Sequence, residues 1–452
     1  MSEPFVIVGG DAAGMSAASK ARRENPDLEI IAFEKGDWVS YGACGLPYYV
    51  KGEIEDLEDL VSVTATEFRE ERDIDLRTQH EVTGIDPQEQ TVTVEGPDER
   101  FEQAYGTLLI ATGASAIVPP FDGVNLDDVH TLHSLPAGAE IRSRIESTGP
   151  DSPETVGVVG GGYIGIEMAE ALRGQGLSVH LFEMLPHVLA PFGETVAETV
   201  EAELESQDVT LHLNTRVEGF EGDEAVQAVR TDDERVPVDL VVIGVGVQAN
   251  ADLAAEAGVE LGESGAIATD EYGRTNLEHV YAAGDCAEMT NVVTGVPDHV
   301  PLALTANRAG RAIGQTVTGT PTPVGPIAGT AAVKAFDLEA ARTGLIDEQR
   351  AQDAGFNPIS ATITSASRAG YYPGGSPIEV NLVADRQSDA VLGASMVGEE
   401  GVAKRIDTIA TALHAGLTVH EVEYLDLSYA PPFGPTWDPV LTAAKVLAGK
   451  LD

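Results

Sequence analysis

The chain is short of basic residues, short of cysteine and free of long apolar runs, and each shortage excludes something. Lysine and arginine number 27 against 74 aspartates and glutamates, a formal net charge of −47 over 452 residues. Only seven of those 27 cations are lysines. A surface this negative has no basic patch with which to neutralise phosphates, which argues against nucleic acid as a partner. The acids are spread along the chain, as in Glu53-Ile54-Glu55-Asp56-Leu57-Glu58-Asp59, and do not form one tail. Such a surface repels itself at low ionic strength and is tolerable where salt screens it, so a halophilic, salt-rich cytoplasm is expected.

The two cysteines, Cys44 and Cys286, are far apart and belong to no C-x-x-C or C-x4-C pair. That spacing argues against a disulfide framework or a structural zinc site, and no metal is expected. No apolar run approaches the roughly 20 residues of a membrane-spanning helix, so no membrane association is expected. The start, Met1-Ser2-Glu3-Pro4, lacks a basic n-region, and Phe5 to Val8 is too short for a signal peptide. A cytoplasmic protein is the expectation. With 43% hydrophobic residues in a chain of this length, several domains with large cores are expected.

What is present is a repeated nucleotide-binding unit. Phe5-Val6-Ile7-Val8 has the composition of a buried strand and runs into Gly9-Gly10-Asp11-Ala12-Ala13-Gly14. A small-residue helix from Met15 to Arg23 and a strand from Leu28 to Phe33 follow, closed by Glu34 and Lys35. This is β-turn-α-β with an acid about 20 residues after the glycines, the dinucleotide fingerprint. The glycines let the backbone approach a pyrophosphate at the helix start, and Glu34 accepts from a ribose. Asp11 stands in place of the second fingerprint glycine.

The unit recurs. The strand Thr155 to Val159 leads into Gly160-Gly161-Gly162-Tyr163-Ile164-Gly165, which fits G-x-G-x-x-G in full. A helix through Leu172 and a strand from Ser178 to Phe182 follow, closed by Glu183. A carboxylate there favours the free 2′-hydroxyl of NADH over the 2′-phosphate of NADPH. One such motif is weak; two, each closed by Glu, point to two bound dinucleotides. Further landmarks are Leu108 to Gly113, whose turn holds Thr112 and Gly113, and the run Leu240 to Gly246. Val280-Tyr281-Ala282-Ala283-Gly284-Asp285 is a strand delivering an Asp at a loop, ahead of a helix from Leu302 to Val317.

At this point the sequence resembles the pyridine nucleotide-disulfide oxidoreductase superfamily. The resemblance implies FAD, NADH or NADPH, and an α/β fold of two Rossmann-like dinucleotide-binding domains with a C-terminal α+β dimerisation domain. In that layout the FAD domain, residues 1–115 and 248–320, is split by an inserted NAD(P)H domain, 116–247. The dimerisation domain, 327–452, follows the Pro/Gly-rich stretch Gly319 to Pro326. Asp285 then lies on the flavin's ribityl chain, Tyr163 is a nicotinamide gate and Glu167 lies near the nicotinamide.

Cys44 selects the branch. It sits in Ser40-Tyr41-Gly42-Ala43-Cys44-Gly45-Leu46-Pro47-Tyr48, which is similar to the S-F/Y-x-x-C-x-x-P-Y pattern of the single-cysteine branch. That branch holds coenzyme A disulfide reductases, persulfide reductases, and NADH oxidases and peroxidases. A lone cysteine couples to a small thiol or to oxygen, giving a mixed disulfide or a sulfenic acid. Either needs a thiolate, so the site is expected to lower the Cys44 pKa by electrostatics or by contact with oxidised flavin. Cys286 is read as packing.

Gly370-Tyr371-Tyr372-Pro373-Gly374 and Leu427-Ser428-Tyr429-Ala430-Pro431-Pro432-Phe433 resemble the coenzyme A disulfide reductases in particular. The resemblance implies a homodimer in which Tyr371 and Tyr429 cross to the partner's cysteine–thiol adduct. It also places coenzyme A against Lys20 and Arg23, with Ser16, Ser40 and Asn307 as polar contacts. Ala43 stands where these reductases often have Asn. The first glycine loop lacks the His usual in the oxidases and peroxidases. The expected activity is therefore reduction of coenzyme A disulfide, or a related small disulfide or persulfide, through a Cys44–S–S–CoA mixed disulfide. The alternatives are an NADH oxidase or peroxidase using a Cys44 sulfenic acid, and a flavoprotein serving electron transfer or redox sensing with a partner protein. The chain ends at Asp452 with no rhodanese-like domain, which counts mildly against a dedicated persulfide enzyme.

Overall fold

The structure, a computed structural model, describes residues 3–149 and 152–451. Phe5–Val8 is the central strand of a parallel five-stranded sheet, in the order Val280–Ala282, Thr107–Ile110, Phe5–Val8, Ile30–Phe33, Asp75–Arg77. A strand paired on both edges and covered on both faces is apolar at every position, which is why this run does not alternate. The second unit repeats the arrangement, in the order Val209–His212, Ser178–Phe182, Thr155–Val159, Leu240–Ile243, Val129–Thr131. Each unit also carries a three-stranded antiparallel sheet, Glu81–Asp86 with Thr91–Glu95 and Arg100–Ala104, and Val217–Glu221 with Ala228–Thr231 and Arg235–Pro237.

The units are interleaved. The chain leaves the first sheet after Ile110, builds the second unit, and returns to supply the edge strand Val280–Ala282. The outgoing strand Ala114–Ala116 and the returning strand Val247–Ala249 pair antiparallel, so both crossings share one ribbon.

The last third forms a five-stranded antiparallel sheet, in the order Ala331–Ala335, Leu338–Gly344, Val391–Gly398, Pro377–Asp385, Pro358–Ala366. Helices Val402–Ala415 and Pro439–Leu451 cover one face. Helices Tyr163–Gly174 and Glu194–Ser206 of the second unit pack on the other, joining Val333, Ala335, Ala340 and Val397 to Ile166, Leu172 and Val200 in one core. Covered on both faces, Val391–Gly398 is buried at all eight positions. Among the described residues, no helix is long and apolar enough to cross a membrane.

Candidate active site

The glycine loops place two bare helix starts. Helix Ala12–Glu24 follows Asp11, and helix Tyr163–Gly174 follows Gly162; neither has a side-chain cap or an acid in its first turn. The free N–H groups and the macrodipole leave each start ready for an anion. Each helix lies so close to its strand that a Cβ on Gly14 would stand 2.0 Å from the Gly9 carbonyl oxygen, and one on Gly165 would stand 1.8 Å from that of Gly160. Nothing lies within 4 Å of a Cβ added at Gly162, which leaves open space beside the helix start.

The two acids behave alike. Glu34 accepts from the Gly10 N–H (2.8 Å) and the Gly36 N–H (2.7 Å), and Glu183 from the Gly161 N–H (2.7 Å) and the Leu185 N–H (2.8 Å). Lys35 is exposed beside Glu34. Asp11, the departure from the fingerprint, accepts from the Tyr41 N–H at 3.1 Å and so ties the Cys44 segment to the first glycine loop. Burial pushes its carboxyl up to about 6, against the Tyr41 N–H and with help from Glu34 and Asp285.

Gly284, at φ 87°, turns the chain against Ala13 and delivers Asp285 to the first helix start. Asp285 Oδ1 is buried without a partner, and burial raises its carboxyl while His133 and His299 pull it down. Thr112 donates to the Asn250 carbonyl (2.7 Å), and Asn250 donates back to the Thr112 carbonyl (2.9 Å). With the Ile117 N–H on the Gly246 carbonyl (2.9 Å), these bonds stitch the crossing at Gly113 and Gly246. Cys286 is fully buried, its thiol donating to the Ala283 carbonyl at 3.4 Å, a packing role.

Cys44 is exposed, in the single turn Ala43–Gly45 that precedes the short helix Leu46–Lys51. Leu46 and Val50 share a core with Ile166, Met168 and Leu172, so Cys44 stands where the first unit meets helix Tyr163–Gly174. Desolvation and then the carboxylates of Glu167, Asp285 and Asp11 raise its thiol above the usual value. This corrects the expectation that the site's own electrostatics lower it: the charged side chains that reach it are negative.

Glu167 is itself pushed up to about 7, by burial first and then by Glu170. One turn on, Glu170 is 5% exposed and holds Lys51 at 2.8 Å, Lys334 at 2.5 Å and the Phe336 N–H at 2.8 Å. This knot joins helix Leu46–Lys51, which follows Cys44, the helix carrying Glu167 and the C-terminal sheet. Sequence reasoning missed it, because a Glu and two Lys separated by 119 and 164 residues leave no local pattern. Tyr163 meets Phe192 edge-on, with ring centroids 5.3 Å apart.

Tyr371 and Tyr429 meet each other. Their hydroxyls are 2.6 Å apart on an exposed face that also shows Phe433 and Trp437. Tyr371 and Thr436 bond the Tyr429 hydroxyl and hold it below the usual phenol range, while the bond to Tyr429 raises Tyr371. Within one chain neither bonds Cys44. Ser16 and Asn307 are brought together at 2.7 Å, between helices Ala12–Glu24 and Ala303–Thr316. Lys20 is buried and paired with Glu24, Arg23 is exposed, and the Ser40 N–H donates to the Gly10 carbonyl at 3.0 Å.

The family model for pyridine nucleotide-disulphide oxidoreductases matches residues 3–310, and that for their dimerisation domain matches 330–439. The chain belongs to this family. An NAD(P)H coenzyme A polysulfide/persulfide reductase of Pyrococcus horikoshii is 39% identical over 448 residues, 99% of each chain. A coenzyme A disulfide reductase of Staphylococcus haemolyticus is 31% identical, over 95% of this chain and 96% of its own. The solved structure of an NAD-dependent persulfide reductase from A. fulgidus superposes with a TM-score of 0.95 at 38% identity, covering 99% of this chain and 83% of that one.

The Pyrococcus protein is matched over 99% of its own length, so its name, which includes persulfide, does not depend on a longer chain. Members of this oxidoreductase family use FAD and NAD(P)H, and the residues present fit both. The bare helix starts fit two pyrophosphates, Glu34 and Glu183 fit two riboses, and the orphaned Asp285 oxygen is an acceptor awaiting a donor. Among the described residues, no cluster of His, Cys, Asp and Glu could hold a metal ion.

Proposed function

We propose that the protein reduces coenzyme A disulfide, or a related low-molecular-weight disulfide or persulfide, with NAD(P)H, and that Cys44 carries the exchanging sulfur. The observation behind this reading is an exposed thiol at the junction of two dinucleotide units, beside Glu167 and Asp285. Residues 1–115 and 248–320 hold FAD, 116–247 hold the nicotinamide cofactor, and 327–452 pair two copies. The two bare helix starts, with Glu34 and Glu183, would hold the flavin and nicotinamide nucleotides, and this pair would supply the two electrons that reopen a disulfide.

The chain's own residues do the rest. Glu34 and Glu183 orient the riboses, the two helix starts hold the pyrophosphates, and Tyr163 covers the nicotinamide position. Ser16, Ser40 and Asn307, with Lys20 and Arg23, hold coenzyme A. The Cys44 thiolate attacks one sulfur of the disulfide, forming Cys44–S–S–CoA and releasing one coenzyme A thiolate. Burial first, and then the neighbouring acids, hold the Cys44 thiol above its usual value, so the attacking thiolate forms in the loaded site. The Tyr371–Tyr429 pair serves Cys44 of the partner subunit, passing a proton to the departing thiolate.

The test is anaerobic NADH consumption in molar KCl, with and without coenzyme A disulfide, then with oxygen as the only acceptor. Turnover that depends on the disulfide and yields two thiols supports the reading. Rapid oxygen consumption without disulfide-dependent turnover overturns it in favour of an oxidase cycling Cys44 through sulfenic acid.

A further inference from the structure

Strand Leu338–Gly344 turns one face to the second nucleotide unit. Leu338 and Ala340 join the core shared with helices Tyr163–Gly174 and Glu194–Ser206, and Arg342, two residues on, lies on the same face. Its guanidinium crosses the junction. Nη1 donates to the Pro191 carbonyl at 3.1 Å, and Nη2 to the Gly329 carbonyl at 3.5 Å, the weaker of the two. Nε is buried without a partner. Among the described residues no carboxylate pairs with this arginine, in a chain with 74 acids. An arginine that bonds only carbonyls, with one N–H left buried and unmet, gains a hold on backbone and no charge pairing.

The backbone it holds is the single turn Ala190–Phe192, just ahead of helix Glu194–Ser206. This turn is pinned twice. At its start the Leu189 N–H donates to the Gly161 carbonyl (2.8 Å), in the second glycine loop. At its middle stands the Arg342 bond to Pro191. Leu189 itself takes φ 46°, a left-handed conformation that a bulky side chain keeps only where its surroundings hold it there. Phe192 ends the turn, fully buried, and its ring is the one that meets Tyr163 edge-on. Burial raises the Tyr163 phenol and the Arg342 charge draws it back, so the two groups are also within electrostatic reach. A line of contacts thus runs from the C-terminal sheet through Arg342, Pro191 and Phe192 to Tyr163.

We propose that Arg342 is a positioning residue for the nicotinamide gate: it acts as a strut that fixes the turn Ala190–Phe192, so that Phe192 holds the Tyr163 ring over the nicotinamide position. This rests on Tyr163 covering that position, and it adds the C-terminal domain to the groups that decide when a nicotinamide enters. Glu183 and the helix start at Gly162 take the rest of the dinucleotide without the gate. The strut therefore acts on the nicotinamide alone. A ring held closed must swing away before the nicotinamide seats, and the more firmly the turn is held, the more that movement subtracts from binding.

Isothermal titration calorimetry of the FAD-loaded enzyme in molar KCl tests this, with NAD⁺ and with ADP-ribose, which lacks the nicotinamide. The quantity read is the ADP-ribose Kd divided by the NAD⁺ Kd. Arg342→Met is expected to raise it about threefold, as for one hydrogen bond lost from the closed state, and Arg342→Lys, which keeps a donor, by less than about twofold. Tyr163→Ala should raise the ratio by itself and leave nothing for Arg342→Met to add. A ratio unchanged in Arg342→Met but raised in Tyr163→Ala would overturn the strut and leave the gate standing. A shift by Arg342→Met that persists without Tyr163 is a direct effect of charge on the cationic nicotinamide, and it too overturns the strut. If Tyr163→Ala leaves the ratio unchanged, the gate reading falls and the strut with it. Should Arg342→Met not retain FAD, Arg342→Gln carries the same comparison. No disulfide enters these titrations, so their outcome is separate from that of coenzyme A disulfide turnover.

Discussion

Replacing Glu170 by Gln should loosen the junction of all three domains. The Glu170 side chain is 6% exposed, and its two oxygens take two ammonium groups and one backbone N–H. Burial pushes this carboxyl up, but Lys334, Lys51 and the Phe336 N–H outweigh it and leave it below its usual value. Removing one partner of a fully buried ion pair costs about 3–5 kcal/mol. The Lys334 side chain is 48% exposed and Lys51 21%, so water recovers part of that loss. The amide also keeps one acceptor, so a destabilisation of about 2–3 kcal/mol is expected.

The assay is urea unfolding of the holoenzyme in molar KCl, for the native protein, Glu170→Gln, Lys334→Met and the double variant. Buried charges are screened little, so the loss should persist at high salt. The cycle should return a coupling of about 1–2 kcal/mol. A loss below about 0.5 kcal/mol, the range of ordinary surface changes, would refute the idea that this knot holds the junction.

Four further outcomes are expected. Cys44→Ser should abolish disulfide-dependent NADH oxidation while leaving the flavin absorbance per chain unchanged; residual disulfide turnover would remove Cys44 from the mechanism. Glu183→Ala with Met184→Arg should move preference toward NADPH, read as the ratio of the two kcat/KM values, because the carboxylate is lost and a cation gained where a 2′-phosphate would lie. Tyr429→Phe should cut kcat for disulfide reduction about 10- to 100-fold without changing FAD content, as loss of a proton donor does. Glu167, at about 7 in the fold against 4.5 unperturbed, binds its proton more tightly when folded, so its contribution to stability falls as pH rises from 4.5 toward 7. Glu167→Gln should therefore gain on the native protein by about 2–3 kcal/mol between pH 5 and 8, and parallel pH profiles would refute the assignment.

The two glycine motifs were legible because their constraints are local. A strand of uninterrupted apolar residues, a tight glycine turn and an acid at the next strand end are fixed by spacing, and Glu34 and Glu183 each accept from N–H donors at equivalent positions of their own unit. Helix Ala303–Thr316 fell within a residue of its expected ends. Helix Pro439–Leu451 was overlooked although Val440, Ala444, Leu447 and Ala448 carry its buried face at helical spacing. Asp11 looked like a weakened motif, and only the fold showed its carboxylate holding the Tyr41 N–H.

The sequence by itself determined two nucleotide units and set Cys44 apart as a lone cysteine in its own motif, since each depends on residues a few positions apart. Tertiary structure alone decided the surroundings of that cysteine. Glu167, Asp285 and Asp11 come from three separate stretches of chain; the fold of the first unit brings Asp11 and Asp285 to Cys44, and docking of the second unit adds Glu167. The Glu170 knot and the pairing of Tyr371 with Tyr429, 58 residues apart, have the same origin. Electrostatic interaction depends on distance through space and on burial, and neither is encoded in spacing along the chain.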